Sequence, residues 1–398
     1  MSMLSCVVFI VLSYTAHIMH KLLQYTAALL FLLLGLASCG SSDPEPETPK
    51  TARKTIFVFM PYTGDSSNLY YNFLTNLNDM EIAVNENGGL SGCHLIIYIS
   101  KDANTSHLVD FKYKNGGVVR DTLKTYTSAS YTTADGMTSI LNDMKRYAPA
   151  ETYATVIGCH GEGWIPKYST TRFFGGLKYQ MDVSDLAQGI SQAGLKMQFI
   201  MFDDCYMSGI EVAYELRNVT EHLIASTSEM MGYGMPYHKI LKYMLAATPD
   251  YENLCRDFIT FYEKYPMPYA TISVTDCQYA EQMATLMRNI NASYTFNGNT
   301  EDIQDLDAYH FTPTVYFDFG SYVRLLTASD ESGAAYTEFQ NLLTKLVPYS
   351  GHTEYIYSEQ GHGTTQIKEF SGLTISDPSE NKYALDAKTQ TAWWKATH

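Results

Sequence analysis

From Lys54 onward, short apolar runs alternate with longer stretches whose apolar positions recur every three or four residues. "TIFVFMPY" (55–62) is β-branched and aromatic and reads as a strand. In "SNLYYNFLTNLNDMEIAVNE", Leu69, Phe73, Leu77 and Met80 share one helical face. "HLIIYIS" is a second strand, and "FKYKNGGVVRDTLKTY" carries a Gly-Gly turn between extended segments, the pattern of a hairpin. "TADGMTSILNDMKRYAP" aligns Met137, Ile140, Leu141 and Met144 and stops at Pro149, which predicts a helix. "TYATVIGCHG" follows as a third core strand. Asp182 then opens a helix as its N-cap, and Gly194 closes it. "LKMQFIMFDDC" is the fourth strand, "MSGIEVAYELRN" the helix after it, and "HLIASTSE" the fifth strand. Past residue 250, "ATISVTDC", "TVYFDFGSYVRLL" and "FSGLTISDP" are strand-like, with helices between them.

Continuously apolar strands separated by helices predict an α/β fold whose mostly parallel sheet is covered on both faces. In such sheets ligands bind at the carboxyl ends of the strands. Two strands end in reactive residues, Val156 to His160 and Ile200 to Cys205. If those strands are neighbours, His160 and Cys205 emerge at one edge. The core is expected over 55–250. No repeat or low-complexity boundary separates 251–398, which reads as an extension packed on that core.

The N-terminus changes the picture of where this unit works. Lys21, an apolar stretch from Ala27 to Leu36 and small residues at a cut point make a secretory signal over 1–39. Leu36-Ala37-Ser38-Cys39 resembles a bacterial lipobox, which implies lipidation at Cys39, anchoring in the cell envelope and membrane contact through that anchor only. An uncleaved membrane helix is the alternative. Translation is expected to start at Met19, with a second spanning segment upstream as the other reading. Residues 40–54, rich in Pro, Ser and acids, read as a flexible linker.

Composition then narrows the function classes. The 398 residues carry a net charge of −15 without a Lys/Arg cluster, which excludes a nucleic-acid binder. With 45 % apolar and 13 % aromatic residues the chain can bury a large core, and its thirty-two tyrosines are scattered through it. Seven cysteines at irregular spacings, five of them beyond Cys39, imply no disulfide framework. Cys159 falls on the opposite face of its strand from His160, and Cys93, Cys255 and Cys277 read as buried apolar groups.

Cys205 is therefore the candidate nucleophile. It stands at the start of a predicted helix, which together with a nearby imidazole favours the thiolate. Cysteine as nucleophile with His160 as acid or base is the minimum for acyl transfer. Gly161 lets a backbone N–H approach a substrate carbonyl, and with the Cys205 N–H it could form an oxyanion hole. Asp203 and Asp204 compete for a helix cap, and the cap is assigned to Asp204. The Gly-His-Gly at His362 reads as a loop histidine.

These residues resemble the clostripain family of cysteine peptidases, relatives of caspases, gingipains and legumain. His160-Gly161-Glu162-Gly163-Trp164 matches its HGxGW pattern, and Phe202 to Leu216 match FDxCxMxxxEVAYEL. Weaker likeness extends to 227–237, 316–323 and 371–376. The resemblance implies a caspase-like α/β/α sandwich and an endopeptidase with His160 as catalytic histidine, Cys205 as nucleophile and Gly161 as oxyanion donor. It implies Asp203 at the floor of the S1 pocket, and hence peptide substrates cut after Arg, or after Lys. The family's acidic-Pro-Gly stretch is replaced by Met230-Met231-Gly232 after Ser228-Glu229, with Glu229 as the compensating charge. Trp164 either lines the pocket or packs. Activation by cleavage would fall at Lys167, Arg172 or Lys178. No cofactor is expected; some relatives use calcium, but no EF-hand-type ligand spacing is present. A non-catalytic binding lipoprotein, or a thiol amidase or transpeptidase on the same scaffold, are the rivals. No third residue orienting His160 emerges from the sequence, and the oligomeric state stays open.

Overall fold

The apolar runs lie side by side in the middle of one nine-stranded sheet. The computed structural model describes residues 50–64, 69–128, 130–167 and 179–398. Strands β1 (Ala52–Met60), β2 (Cys93–Asp102), β3 (Thr105–Lys114), β4 (Gly117–Tyr126), β5 (Ala150–Ile157), β6 (Met197–Phe202), β7 (Thr220–Ala225) and β8 (Thr271–Asp276) belong to it. Two-residue β9 (Phe317–Asp318) lies apart, and β10 (Tyr349–His352) closes the far edge, giving the order β10-β8-β7-β6-β5-β1-β2-β3-β4. The five strands from β7 to β2 are parallel to one another. Antiparallel partners extend both ends: the β3–β4 hairpin on one side, β8 and β10 on the other.

Alternate residues of β1 show why the runs are unbroken. Phe57 and Phe59 pack beneath α2 (Ala134–Tyr147) and α3 (Val183–Gln192), whereas α1 (Tyr70–Glu86) covers the opposite face. Ile56, Val58 and Met60 pack against α1 and, later in the chain, α5 (Tyr237–Leu245) and α6 (Tyr251–Tyr262). Both faces are buried, so neither alternates with polar residues. Between these helices in sequence, α4 (Ile210–Leu216) serves two cores. Val212 and Ala213 face the sheet, whereas Ile210 and Tyr214 join α7 (Ala280–Ser293), α8 (Phe319–Leu326) and Trp393. The predicted Asp182 cap is present as a capping box with Asp185.

Two expectations need correction. "TVYFDFGSYVRLL" is mostly helical: β9 ends at Asp318, whose side chain accepts from the Ser321 N–H and opens α8. Phe319, Tyr322, Val323 and Leu326 are buried at helical spacing there, a signal masked by the aromatic and β-branched composition. The polar stretch before residue 55 is also not all linker, because β1 begins at Ala52. Arg53 donates to the Leu245 carbonyl at 2.8 Å, and the buried Lys54 Nζ donates to the Met244 and Ala246 carbonyls at 3.0 and 2.6 Å. These cations satisfy the carbonyl end of α5, where the helix dipole favours positive charge. Burial pulls the Lys54 amine down to about 8.

The signal peptide and Cys39 lie outside the described residues. Among the described residues, no helix is long and apolar enough to cross a membrane. Replacing Lys54 with Leu leaves two carbonyls at the end of α5 without their donor. Urea unfolding at neutral pH should read a loss of about 1–3 kcal/mol.

Candidate active site

Strands β5 and β6 are parallel neighbours, with Val156 opposite Met201 and Ile157 opposite Phe202. One step past the last pair, the Asp203 N–H donates to the Ile157 carbonyl at 2.7 Å. The two carboxyl ends are thereby held level, one leading to His160 and Gly161, the other to Cys205. Gly161 lies flat on the second strand end: a Cβ there would stand 2.8 Å from the Cys205 nitrogen and from the Asp204 Cβ. Only glycine allows this approach.

Asp204 does not cap a helix. Helix α4 starts at Ile210 with Gly209 as its N-cap, too far along the chain for Asp204 to reach. Its carboxylate instead accepts from Cys159, at 2.6 Å from the backbone N–H and 3.3 Å from the thiol. The residue before His160 is thus latched to the residue before Cys205. Burial pushes the Asp204 carboxyl well up; the Cys159 N–H opposes this and the neighbouring Asp203 adds to it. Cys159 is core, as its strand face predicts, but its thiol takes part in the latch.

The same offset removes the helix terminus from Cys205. The half-buried thiol sits in a turn ahead of α4, followed by Tyr206 at φ +61°, whose N–H donates to the Ser228 carbonyl at 3.1 Å. The Met230 N–H donates to Cys205 Sγ at 3.2 Å. Burial pushes the thiol well up and the Glu229 charge adds to this; the Met230 N–H opposes it, while Asp204 and Glu162 add further. These surroundings favour the neutral thiol over the thiolate. His160, half-buried at the end of β5, is the imidazole on that edge.

The segment 227–237 walls the other side. Asp203 remains partly open, and its oxygens accept from the Met235 N–H and the Tyr237 hydroxyl, each at 2.8 Å. Burial raises its carboxyl to about 6 against those two donors. The segment is braced on α1 by Asn76, which donates to the Tyr233 carbonyl at 3.1 Å, and by Asp79. The Asp79 carboxylate accepts from the Tyr233 hydroxyl at 2.6 Å and lies 2.9 Å from His238 Nδ1. Glu229 is buried and accepts from the Glu359 N–H at 3.0 Å. Trp164 is 8 % exposed and donates from Nε1 to Ser376 Oγ at 2.8 Å, so of its two readings burial favours packing. His362 is exposed at φ +49° in the turn between β11 (Tyr355–Ser358) and β12 (Gly363–Gln366).

The sequence did not single out Met230, Tyr237, Asp79 or the Cys159 thiol for the site. Each enters through a backbone group or a side chain tens of residues from the nucleophile, with no spacing to betray it. Lys167 pairs with Asp185 at 2.8 Å and Asp182 at 3.6 Å, whereas Arg172 and Lys178 lie outside the described residues. Among the described residues, no group of three or more His, Cys, Asp or Glu side chains is placed to hold a metal ion.

Known proteins share this fold. The model of the clostripain family matches residues 58–393. A secreted C11 cysteine protease from Bacteroides thetaiotaomicron, "iotapain", is 45 % identical with a TM-score of 0.83, covering 88 % of this chain and 100 % of its own. A clostripain from the same species, in complex with a peptide inhibitor, is 48 % identical over 56 % of this chain and 96 % of its own, with a TM-score of 0.53. An inactive zymogen C11 protease from Parabacteroides distasonis is 25 % identical over 88 % of this chain and 99 % of its own, with a TM-score of 0.76. No curated protein matches the chain.

Replacing Asp204 with Ala orphans the Cys159 N–H in a dry site and should cost about 1–3 kcal/mol of stability. Asp204→Asn keeps an acceptor for that N–H and should lie closer to wild type. Thermal unfolding of the two variants side by side decides whether the latch works by hydrogen bonding.

Proposed function

Because the chain belongs to the clostripain family of cysteine peptidases, we propose that it is an exported endopeptidase cutting after Arg or Lys, with Cys205 as nucleophile and His160 as its proton partner. The observation that carries this reading is the shared edge of β5 and β6, where Gly161 closes on the Cys205 backbone. As Cys205 Sγ attacks the scissile carbonyl, its proton passes to His160. The Gly161 and Cys205 N–H groups then hold the oxyanion, stabilising charge that exists only in the transition state. His160 then protonates the leaving amine, and water hydrolyses the thioester.

Selection for a basic P1 side chain rests on charge. Asp203 and Glu229 place two carboxylates beside the nucleophile, and a cationic side chain neutralises what an acidic one would aggravate. The 48 % identical clostripain is bound to the inhibitor BTN-VLTK-AOMK, whose peptide ends in lysine. A thiol whose surroundings favour its neutral form fits a latent enzyme released by cleavage among Lys167, Arg172 and Lys178. The lipobox at Cys39 supports a lipid anchor in the cell envelope, and a 45 % identical relative is secreted.

Fluorogenic peptides with P1 Arg, Lys, Asp and Leu test the activity, with Cys205→Ala expected to abolish all cleavage. Persistent cleavage by that variant would overturn the assignment of the nucleophile. Asp203→Asn should lower kcat/KM for P1 Arg about 10- to 100-fold, in line with one charged contact of roughly 1.5–3 kcal/mol, and spare P1 Leu. A carboxyl that titrates at about 6 is neutral in more acid solution. Because kcat/KM reports the free enzyme, the ratio of Arg to Leu cleavage should fall as pH drops through 6. An unchanged ratio from pH 7.5 to 5 would sink the S1 role of Asp203. Cys39→Ala should move the protein from the membrane fraction to the soluble fraction of the cell.

A further inference from the structure

The residue after Gly161 and the residue after Cys205 touch the same distant side chain. Glu162 is 2 % exposed, and its Oε1 lies 2.9 Å from Nε2 of His310, itself 5 % exposed. The His310 ring also packs on the ring of Tyr206 at 4.9 Å, and its Nδ1 lies 3.3 Å from Ser358 Oγ. Tyr316 makes the same bridge by other means. Its hydroxyl donates to the Glu162 carbonyl at 2.5 Å, and its ring stacks on Tyr206 at 5.2 Å and 15°. The next residue, Gly163, stands at φ +60°, and a Cβ there would come 2.5 Å from the Tyr316 hydroxyl. The second glycine of the HGxGW pattern thus makes room for this tyrosine.

We infer that His310 and Tyr316 are positioning residues that hold the Gly161 amide and the Cys205 turn in one register, as a single oxyanion-binding surface. The inference rests on the catalytic roles proposed above for those two residues. Tyr206 adopts a left-handed backbone at φ +61°, which a non-glycine residue keeps only where its surroundings over-determine it. Two rings pressed on its side chain supply that constraint. On the other strand end, Glu162 is held through its side chain by His310 and through its carbonyl by Tyr316, so the chain is fixed one residue past Gly161. A shift of about 1 Å in a donor costs on the order of 100-fold in rate without altering the affinity for the ground state.

The test uses the full chain and a P1 Arg peptide, with Cys205 alkylation by iodoacetamide as a readout that needs the thiol but no oxyanion hole. His310→Phe keeps a ring against Tyr206 and removes the hydrogen bond to Glu162. It should lower kcat about 10- to 100-fold, with KM and the alkylation rate each within about twofold of wild type. Glu162→Gln, which still offers His310 an acceptor, should retain most of the rate. Wild-type kcat in a folded His310→Phe overturns the inference. So does a loss spread evenly over KM, alkylation and thermal stability, which would mark general loosening. Should His310→Phe fail to fold, Tyr316→Phe removes one hydroxyl from the same network, and the same kcat-against-KM split decides. Cleavage that survives Cys205→Ala would refute the nucleophile assignment instead, so the two failures are distinguishable.

Discussion

Everything at this site depends on two parallel strands being held level at their carboxyl ends. The ladder between β5 and β6 sets the register, the Asp203 N–H extends it by one bond, and Asp204 fastens the two chains where the ladder stops. Beyond a strand end the backbone has no partner by default, and an unsatisfied buried N–H is costly. A carboxylate that accepts from both the backbone and the thiol of Cys159 removes that cost and leaves His160 and Cys205 no freedom to drift apart in register. Gly161 completes the closure because a side chain would collide with the second strand.

The electrostatics pull against the chemistry. Buried carboxylates around Cys205 favour its neutral form, and no helix dipole offsets them, since α4 begins well past the cysteine. One backbone N–H, from Met230, opposes the trend. In a site of low dielectric such charges act strongly over short distances. Glu229, whose charge helps to quiet the thiol, is also one of the two carboxyls, with Asp203, on which the proposed preference for a basic P1 side chain rests.

The C-terminal part of the chain is structural to the site. Ser376 accepts from Trp164 and donates its N–H to Glu211, tying the histidine motif to the cysteine motif through one residue. The Thr374 N–H adds a bond to the Ser208 carbonyl. His310 and Tyr316 approach from the same part of the chain. The motif residues Trp164, Gly163 and Glu211 are therefore explained by what they hold in place, with no direct contact to substrate required.

Local pattern alone determined the parallel α/β architecture, most helices and the placement of His160 and Cys205 just past two neighbouring strand ends. Periodicity reports burial, and burial on both faces of a sheet leaves an unbroken apolar run. It also placed the two reactive residues at strand ends. Composition misled where β-branched and aromatic residues filled the start of a helix, at α8, and where a half-buried and a buried cation, Arg53 and Lys54, resembled a linker. The roles of Asp204, Met230, His310 and Tyr316 belong to the tertiary structure. Asp204 reads as a cap beside any nascent helix, and only the true start of α4, together with the neighbouring strand bearing Cys159, turns it into a latch. His310 lies nearly 150 residues from Glu162, and no local spacing can encode a hydrogen bond between residues that only the folded sheet brings together.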